Sequence, residues 1–308
     1  MGNTQPVFDE VLAELEPTPT QKDGVQRSHN HLRGLLEGGQ IGKRVVDHYL
    51  TGSYARDTAI HPLDDVDIIF VIDPGHWEKS VLASYPPPAR VLETFERAIR
   101  YRYPDSSVRT QYRSIRLSLF RVDIDVVPAI ADQKDPELIR VPDTGADKWI
   151  PSAPKKHTQL ATAVNKRRKG LFKPLVKLLK GWNSNLPEQP AQMKSFAVET
   201  MAVRLFSSRD FSTLEEGALL FWDLLARIGG EGALYEWTSD YGIELGAWTP
   251  RVLDAAGTGS NTLGDVSRAK CKRFTEYARM SRDFLGQGIR ARTQERTEEL
   301  VHRALRLA

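Results

Sequence analysis

Thr51-Gly52-Ser53, followed after eleven residues by Asp65-Val66-Asp67-Ile68-Ile69-Phe70-Val71-Ile72, is the stretch that decides how this chain folds. The second half is apolar and β-branched, the composition of a buried strand, with two carboxylates at i and i+2. Successive side chains of a strand alternate faces, so Asp65 and Asp67 share one face while Val66 and Ile68 point into the core. Two like charges held side by side on a rigid strand repel each other. They are tolerable mainly where something doubly positive sits between them, and Mg²⁺ with phosphates is the usual candidate. The Gly-Ser pair reads as a tight turn leading into a helix start.

Working outward, residues 43–50 contain Val45, Val46, His48 and Tyr49 and read as a strand entering that turn. Asp73-Pro74-Gly75 stops the strand at 65–72. Upstream, residues 17–20 punctuate a helical N-terminal segment, and residues 26–36 read as a helix ending at Gly38-Gly39. Downstream, Pro86-Pro87-Pro88 precedes apolar residues at helical spacing: Val91, Leu92, Phe95 and Ile99. Residues 108–128 return to strand character, with alternation in Ser114-Ile115-Arg116-Leu117-Ser118-Leu119. From about residue 154 the pattern is almost entirely helical. The expected class is therefore α+β: a mixed lobe with N-terminal helices over residues 1–153 and a helical lobe over 154–308. A long helix starting near the join is expected to pass between the lobes.

Composition narrows the setting. The chain has 308 residues, 40% hydrophobic and 27% charged, enough for a sizeable core and ordinary for a globular protein. Its one cysteine, Cys271, excludes an internal disulfide framework and a cysteine-built zinc site, which fits a reducing cytoplasm. Residues 1–16 are acidic and polar, unlike a secretory signal, and no apolar run approaches a membrane span, so a cytoplasmic location away from membranes is expected. A net charge of +3 is too small to argue for nucleic-acid binding. The run Lys166-Arg167-Arg168-Lys169 offers either a basic surface for triphosphates or nucleic acid, or a solvated helix terminus.

A second acidic strand is visible in Val122-Asp123-Ile124-Asp125-Val126-Val127-Pro128. Three carboxylates converging on one sheet face are what a two-metal phosphoryl-transfer site requires, with two Mg²⁺ ions, or Mn²⁺, as cofactors. Ser53 and the amides after Gly52 would lie at a helix N-terminus, where terminal phosphates bind readily.

This pattern resembles that of the DNA polymerase beta-like nucleotidyltransferase superfamily, with Gly52, Ser53, Asp65, Asp67 and Asp125 at the matching positions. Asp125-Val126-Val127-Pro128-Ala129 is similar to the Asp-Val-Leu-Pro-Ala element of oligoadenylate synthases and their bacterial relatives, which assigns the third carboxylate to Asp125 and leaves Asp123 as the alternative. Leu175-Val176-Lys177-Leu178-Leu179-Lys180-Gly181-Trp182-Asn183 resembles the basic helix of cyclic GMP-AMP synthase, oligoadenylate synthase and bacterial CD-NTases. Lys194-Ser195-Phe196-Ala197-Val198-Glu199-Thr200 resembles the helix that follows it.

The resemblance implies a bilobed enzyme with a spine helix, in which Lys180 and Ser195 bind the triphosphate and Phe196 stacks on a base. A solvated helix face is the alternative for Lys177 and Lys180, and ordinary core for Phe196. Asn165 falls where the family roofs its nucleotide pocket, and its amide is able to read the edge of uracil or adenine. Residues 261–267 resemble a segment of the same families and read as a capping turn.

The implied activity joins nucleoside triphosphates into a cyclic di- or trinucleotide with release of pyrophosphate. The family's role implies anti-phage signalling, with a separate effector protein reading the product and possible regulatory partner proteins. No His and Cys zinc insertion is visible, so activation by nucleic acid through that route is not supported. Two other readings stay open: addition of one nucleotide to an RNA, protein or small-molecule acceptor, and an inactive nucleotide or nucleic-acid sensor. Retention of all three carboxylates argues against the last.

Overall fold

A computed structural model describes residues 2–37, 41, 44–63, 65–78, 84–119, 122–186, 191–228 and 241–306. Its contacts gather into two units, Pro17–Thr158 and the combination of Met1–Glu16 with Gln159–Ala308.

In the first unit the period-two segments form seven strands among the described residues: β1 (Val45–Thr51), β2 (Asp65–Ile72), β3 (Ser107–Thr110), β4 (Ile115–Ser118), β5 (Asp123–Ala131), β6 (Ile139–Asp143) and β7 (Lys148–Ser152). They lie in the order β1-β2-β5-β4-β3, with β6 pairing β5 and then β7. β2 and β5 run parallel, and the remaining pairs are antiparallel. One phase of the alternation is core: Ile68, Phe70 and Ile72 of β2 pack with Ile124, Val126 and Ile130 of β5 and with Ile115 and Leu117 of β4. Helix Pro88–Arg102 covers that face with Val91, Leu92, Phe95 and Ile99. Its start suits a proline within the first turn, and Arg100 and Arg102 sit in its last turn, where cations oppose the helix dipole. The other phase carries a small apolar cluster, Ile69 and Val71 with Ala129, Ile139 and Val141. The acidic residues precede that cluster along both strands.

The helices, in chain order, are α1 (Gln5–Leu15), α2 (Pro19–Glu37), α3 (Gly52–Ala55), α4 (the Pro88–Arg102 helix), α5 (Pro154–Arg167), α6 (Phe172–Ser184), α7 (Ser195–Phe206), α8 (Leu214–Ile228), α9 (Arg268–Ile289) and α10 (Gln294–Arg306). The second unit is built around Trp182 of α6, whose ring lies 5.8 Å from Trp222 and 5.3 Å from Phe274. The Trp182 indole N–H donates to Ser281 Oγ at 2.9 Å, so the buried indole keeps a partner.

Three features differ from the sequence expectation. First, α1 belongs with the helices and not with the sheet. Leu15 lies so close over Gly181 of α6 that a Cβ there would meet it at 2.7 Å, and Glu16 pairs with Lys177 at 2.5 Å. Second, the division falls inside α5, after Thr158, and α5 is short at 14 residues. Lys169 and Gly170 adopt φ of 51° and 88° and break the helix before α6. Third, the back half holds a small strand pair, β8 (Ile243–Glu244) and β9 (Arg251–Val252), too short to leave a pattern. The expected helix stop at Gly38-Gly39 lies outside the described residues. Among those described, no helix is long and apolar enough to cross a membrane.

Candidate active site

The parallel register of β2 and β5 sets Asp65 beside Asp123 and Asp67 beside Asp125. Four carboxylates from two strands thus share one sheet face. On the far side of β5, antiparallel β4 places Arg116 opposite Asp125 and Ser118 opposite Asp123. On the far side of β2, Thr51 at the end of β1 lies opposite Asp67. Gly52 follows immediately with φ +72°, and a Cβ there would come within 2.1 Å of Asp67 Oδ2. Glycine is required twice over, by a left-handed backbone and by contact with the carboxylate. The helix after it, α3, has only four residues, so its dipole adds little for phosphates. Ser53 is half-buried at its start.

Arg116 is the positive centre of this corner. Its Nε and Nη2 donate to the two oxygens of Asp125 at 3.0 and 2.6 Å, and Nη2 also donates to Asp65 Oδ2 at 3.0 Å. Nη1 lies 3.8 Å from Asp123 Oδ2. The Asp125 hydrogen bond is the main force raising the guanidinium pKa above its ordinary value, so Arg116 stays charged. Among the described residues, Asp67 has no such hydrogen-bonded cation. Burial, then Asp65, then Asp125 push its pKa up to about 6, against the opposing pull of Arg56 and Arg116.

Asp125 is 6% exposed, whereas the Asp65 side chain is 52% exposed and opens toward solvent. Between the two candidates for the third carboxylate, Asp125 is the buried one and stands beside Asp67; Asp123 stands beside Asp65.

The donor chemistry fits hard divalent cations: all-oxygen, anionic and crowded enough that a like-charge penalty is already present. As arranged, two carboxylates are turned onto Arg116. Among the described residues no three His, Cys, Asp or Glu side chains are gathered as a closed ligand group.

Residues 2–165, spanning this whole corner, match the Second Messenger Oligonucleotide or Dinucleotide Synthetase domain. The chain belongs to that family: it is a bacterial CD-NTase, a nucleotidyltransferase.

This CD-NTase is 31% identical over 283 residues to the cyclic AMP-AMP-AMP synthase of an Acinetobacter species, covering 89% of this chain and 76% of that protein. It is 33% identical over 149 residues to the cyclic AMP-AMP-GMP synthase of Enterobacter hormaechei, covering 47% of this chain and 34% of that protein. Its fold is similar to Escherichia coli CdnC with ATP, with a TM-score of 0.74 at 18% identity over 98% and 97% of the two chains. It is also similar to the Bradyrhizobium diazoefficiens CD-NTase CdnG in complex with GTP, with a TM-score of 0.71 at 15% identity over 99% and 98%.

The remaining expected site residues of the CD-NTase lie in the helical unit. Lys180 and Lys177 are 4% and 5% exposed on α6, and neither is on a solvated face. Ser195 is exposed as the first residue of α7, and Phe196 beside it is half-buried. Asn183, one turn after Lys180, clamps the approach to Ser195. Its amide donates to Met193 O at 2.9 Å and its carbonyl accepts from Met193 N at 2.8 Å, both buried.

Asn165 forms a cap. Its side-chain oxygen accepts from Lys173 N at 3.0 Å, satisfying an amide in the first turn of α6. The basic run is half consumed internally: Arg168 is buried on Phe206 O at 3.1 and 2.7 Å and paired with Asp210, and Arg167 donates to Ser207 O. The turn at 261–267 does cap: Ser267 Oγ accepts from Lys270 N at 3.2 Å at the start of α9, while Asn261 Oδ1 accepts from Val252 and Leu263 amides. The sequence reading passed over Arg116, the contact of Gly52 with Asp67, and Asn183.

Proposed function

We propose that this CD-NTase joins nucleoside triphosphates, ATP first among them, into a cyclic di- or trinucleotide, releasing one pyrophosphate per linkage. The observation that carries the reading is the register of β2 and β5, which places Asp65, Asp67 and Asp125 together on one sheet face. These three residues would hold two Mg²⁺ or Mn²⁺ ions. Such ions, when bound, lower the pKa of an attacking hydroxyl and neutralise the departing pyrophosphate.

The chain's own residues supply the rest. Gly52 lets the Asp67 carboxylate lie close against the backbone at the end of β1. Asp125 is the proposed acceptor for the proton of the attacking ribose hydroxyl. Lys180 and Ser195 are assigned to triphosphate oxygens, and Phe196 to a base face. The choice of adenine is supported by the curated relatives, whose names both include AMP. The product is proposed to act in anti-phage signalling, read by a separate effector protein, with regulatory partner proteins adjusting synthesis.

The test is incubation of the purified chain with each labelled nucleoside triphosphate and Mg²⁺ or Mn²⁺, followed by phosphatase and mass analysis. A phosphatase-resistant cyclic product from ATP, absent with Asp67→Ala, is the expected result. Label transferred to a macromolecule, or pyrophosphate release equal in Asp67→Ala, contradicts it.

A further inference from the structure

We propose that Arg116 is a built-in competitor for the divalent cations, holding the carboxylates in a closed, metal-free arrangement that the ions must displace. The inference rests on the metal-site reading above. Its physical basis is the identity of the atoms involved. Arg116 takes both oxygens of Asp125 and one of Asp65, which are oxygens that metal ligation would need. A planar fork satisfies two oxygens of one carboxylate at once, and a guanidinium does not lose its proton at any working pH.

The guanidinium is also the positive group on which three of the four carboxylates of this corner converge, since Asp123 lies 3.8 Å from it. Like charges on neighbouring strand positions repel, so four carboxylates on one sheet face call for a resident cation when no metal is bound. Arg116 meets that need.

It is also able to leave. Its side chain is 32% exposed, whereas the Asp125 side chain that it covers is 9% exposed. An arginine with a solvated path and a long stem moves without disturbing the strand pairing. The result is a site in which cation entry has a threshold: free metal must compete with a tethered positive charge at high local concentration.

The experiment measures Mn²⁺ binding to the full chain by titration calorimetry and by Mn²⁺ electron paramagnetic resonance, without nucleotide. Wild type, Arg116→Gln, Arg116→Lys and Asp67→Asn are compared, together with unfolding temperatures in EDTA and in Mn²⁺. Arg116→Gln is expected to bind Mn²⁺ tenfold or more tightly than wild type, to melt lower in EDTA, and to regain that loss in Mn²⁺. Arg116→Lys, which keeps the charge and loses the fork, is expected to fall between.

Equal or weaker Mn²⁺ binding by Arg116→Gln overturns the inference and leaves Arg116 a positioning residue for Asp125. Absence of binding in wild type and Arg116→Gln alike overturns the metal reading itself and the inference with it. If Arg116→Gln does not fold, wild type decides: the Arg116 Nε–H resonance, assigned by its loss in Arg116→Lys, must move on saturation with Mg²⁺ and a non-hydrolysable ATP analogue. An unmoved resonance overturns the proposal.

Discussion

The two ends of β5 use the same residue types and reach opposite outcomes. Just past its C-terminal end, Asp132 pairs with Arg140 at 2.6 Å and accepts from the amides of Lys134 and Asp135 at 2.8 and 3.1 Å. Those amides, Lys134 first, hold its carboxyl below the ordinary range against the opposing effect of burial. Toward its N-terminal end, Asp123, Asp125 and Asp65 all lie within ion-pair reach of Arg116, and Asp67 beside them is pushed up to about 6. One end is balanced carboxylate for cation. The other is overcrowded in a way that stability alone does not explain, and such sites mark where an external charge is to be received.

That contrast can be broken most forcefully at Asp67. Asp67→Asn should lower pyrophosphate release by on the order of a thousandfold, while the unfolding temperature of the metal-free protein stays level or rises. A fall in both would make Asp67 an ordinary structural carboxylate.

Asp132→Asn should do the reverse. It should cost about 1–3 kcal/mol at neutral pH, because the half-buried Arg140 guanidinium loses its buried carboxylate partner, with turnover per folded molecule unchanged. The pH dependences should carry opposite signs. Asp132 is depressed in the folded state, so its stabilisation is present above the unfolded value of 3.8 and is lost as pH falls through the lower folded pKa. Asp67 is raised from 3.8 to about 6, so in EDTA its penalty grows as pH rises through that window and is complete above it. Denaturant unfolding of each variant against wild type from acid to neutral pH checks both signs.

Gly52→Ala probes how tightly the acidic corner is enclosed. A left-handed backbone strained by about 1–2 kcal/mol and a Cβ colliding with Asp67 should reduce kcat well beyond the loss in stability. An intact kcat would mean that Asp67 has room to move aside. The smallest effect is expected at Glu16→Gln. The Glu16 side chain is 40% exposed but that of Lys177 is only 7% exposed, so losing the carboxylate charge should cost about 1–2 kcal/mol and leave turnover alone. Denaturant midpoints and product assays report both.

How much of this was legible follows from what a linear pattern encodes. The alternation of residues 65–72 gave β2 with the bounds Asp65–Ile72 and put Asp65 and Asp67 on the face away from the core. Alternation also placed Arg116 in the polar phase of its strand. It carries no register, however, and only the pairing of Arg116 with Asp125 across β4 and β5 reveals the contact.

The helical unit was harder to read. Lysines at i and i+3 on α6 look like a wet face, yet both are buried, Lys177 against Glu16 from a helix far away in sequence. The cap made by Asn165 was not legible, because one formed with a residue eight positions on leaves no periodic trace.

The register that joins these strands also governs the order in which the site assembles. Arg116 and Asp125 are nine residues apart and meet by closing a short hairpin, whereas Arg116 and Asp65 are 51 apart and meet only when β2 docks alongside β5. Loop closure favours the nearer contact, and parallel pairing is slow. The guanidinium is therefore expected to reach Asp125 before Asp65 and Asp67 arrive, so that β2 adds its two charges to a strand already partly neutralised. On this view Arg116 serves the chain first during folding, as an escort for a strand whose own charges would otherwise resist docking. Stopped-flow refolding of Arg116→Gln in EDTA should accordingly be slower than wild type and recover in Asp67→Asn/Arg116→Gln.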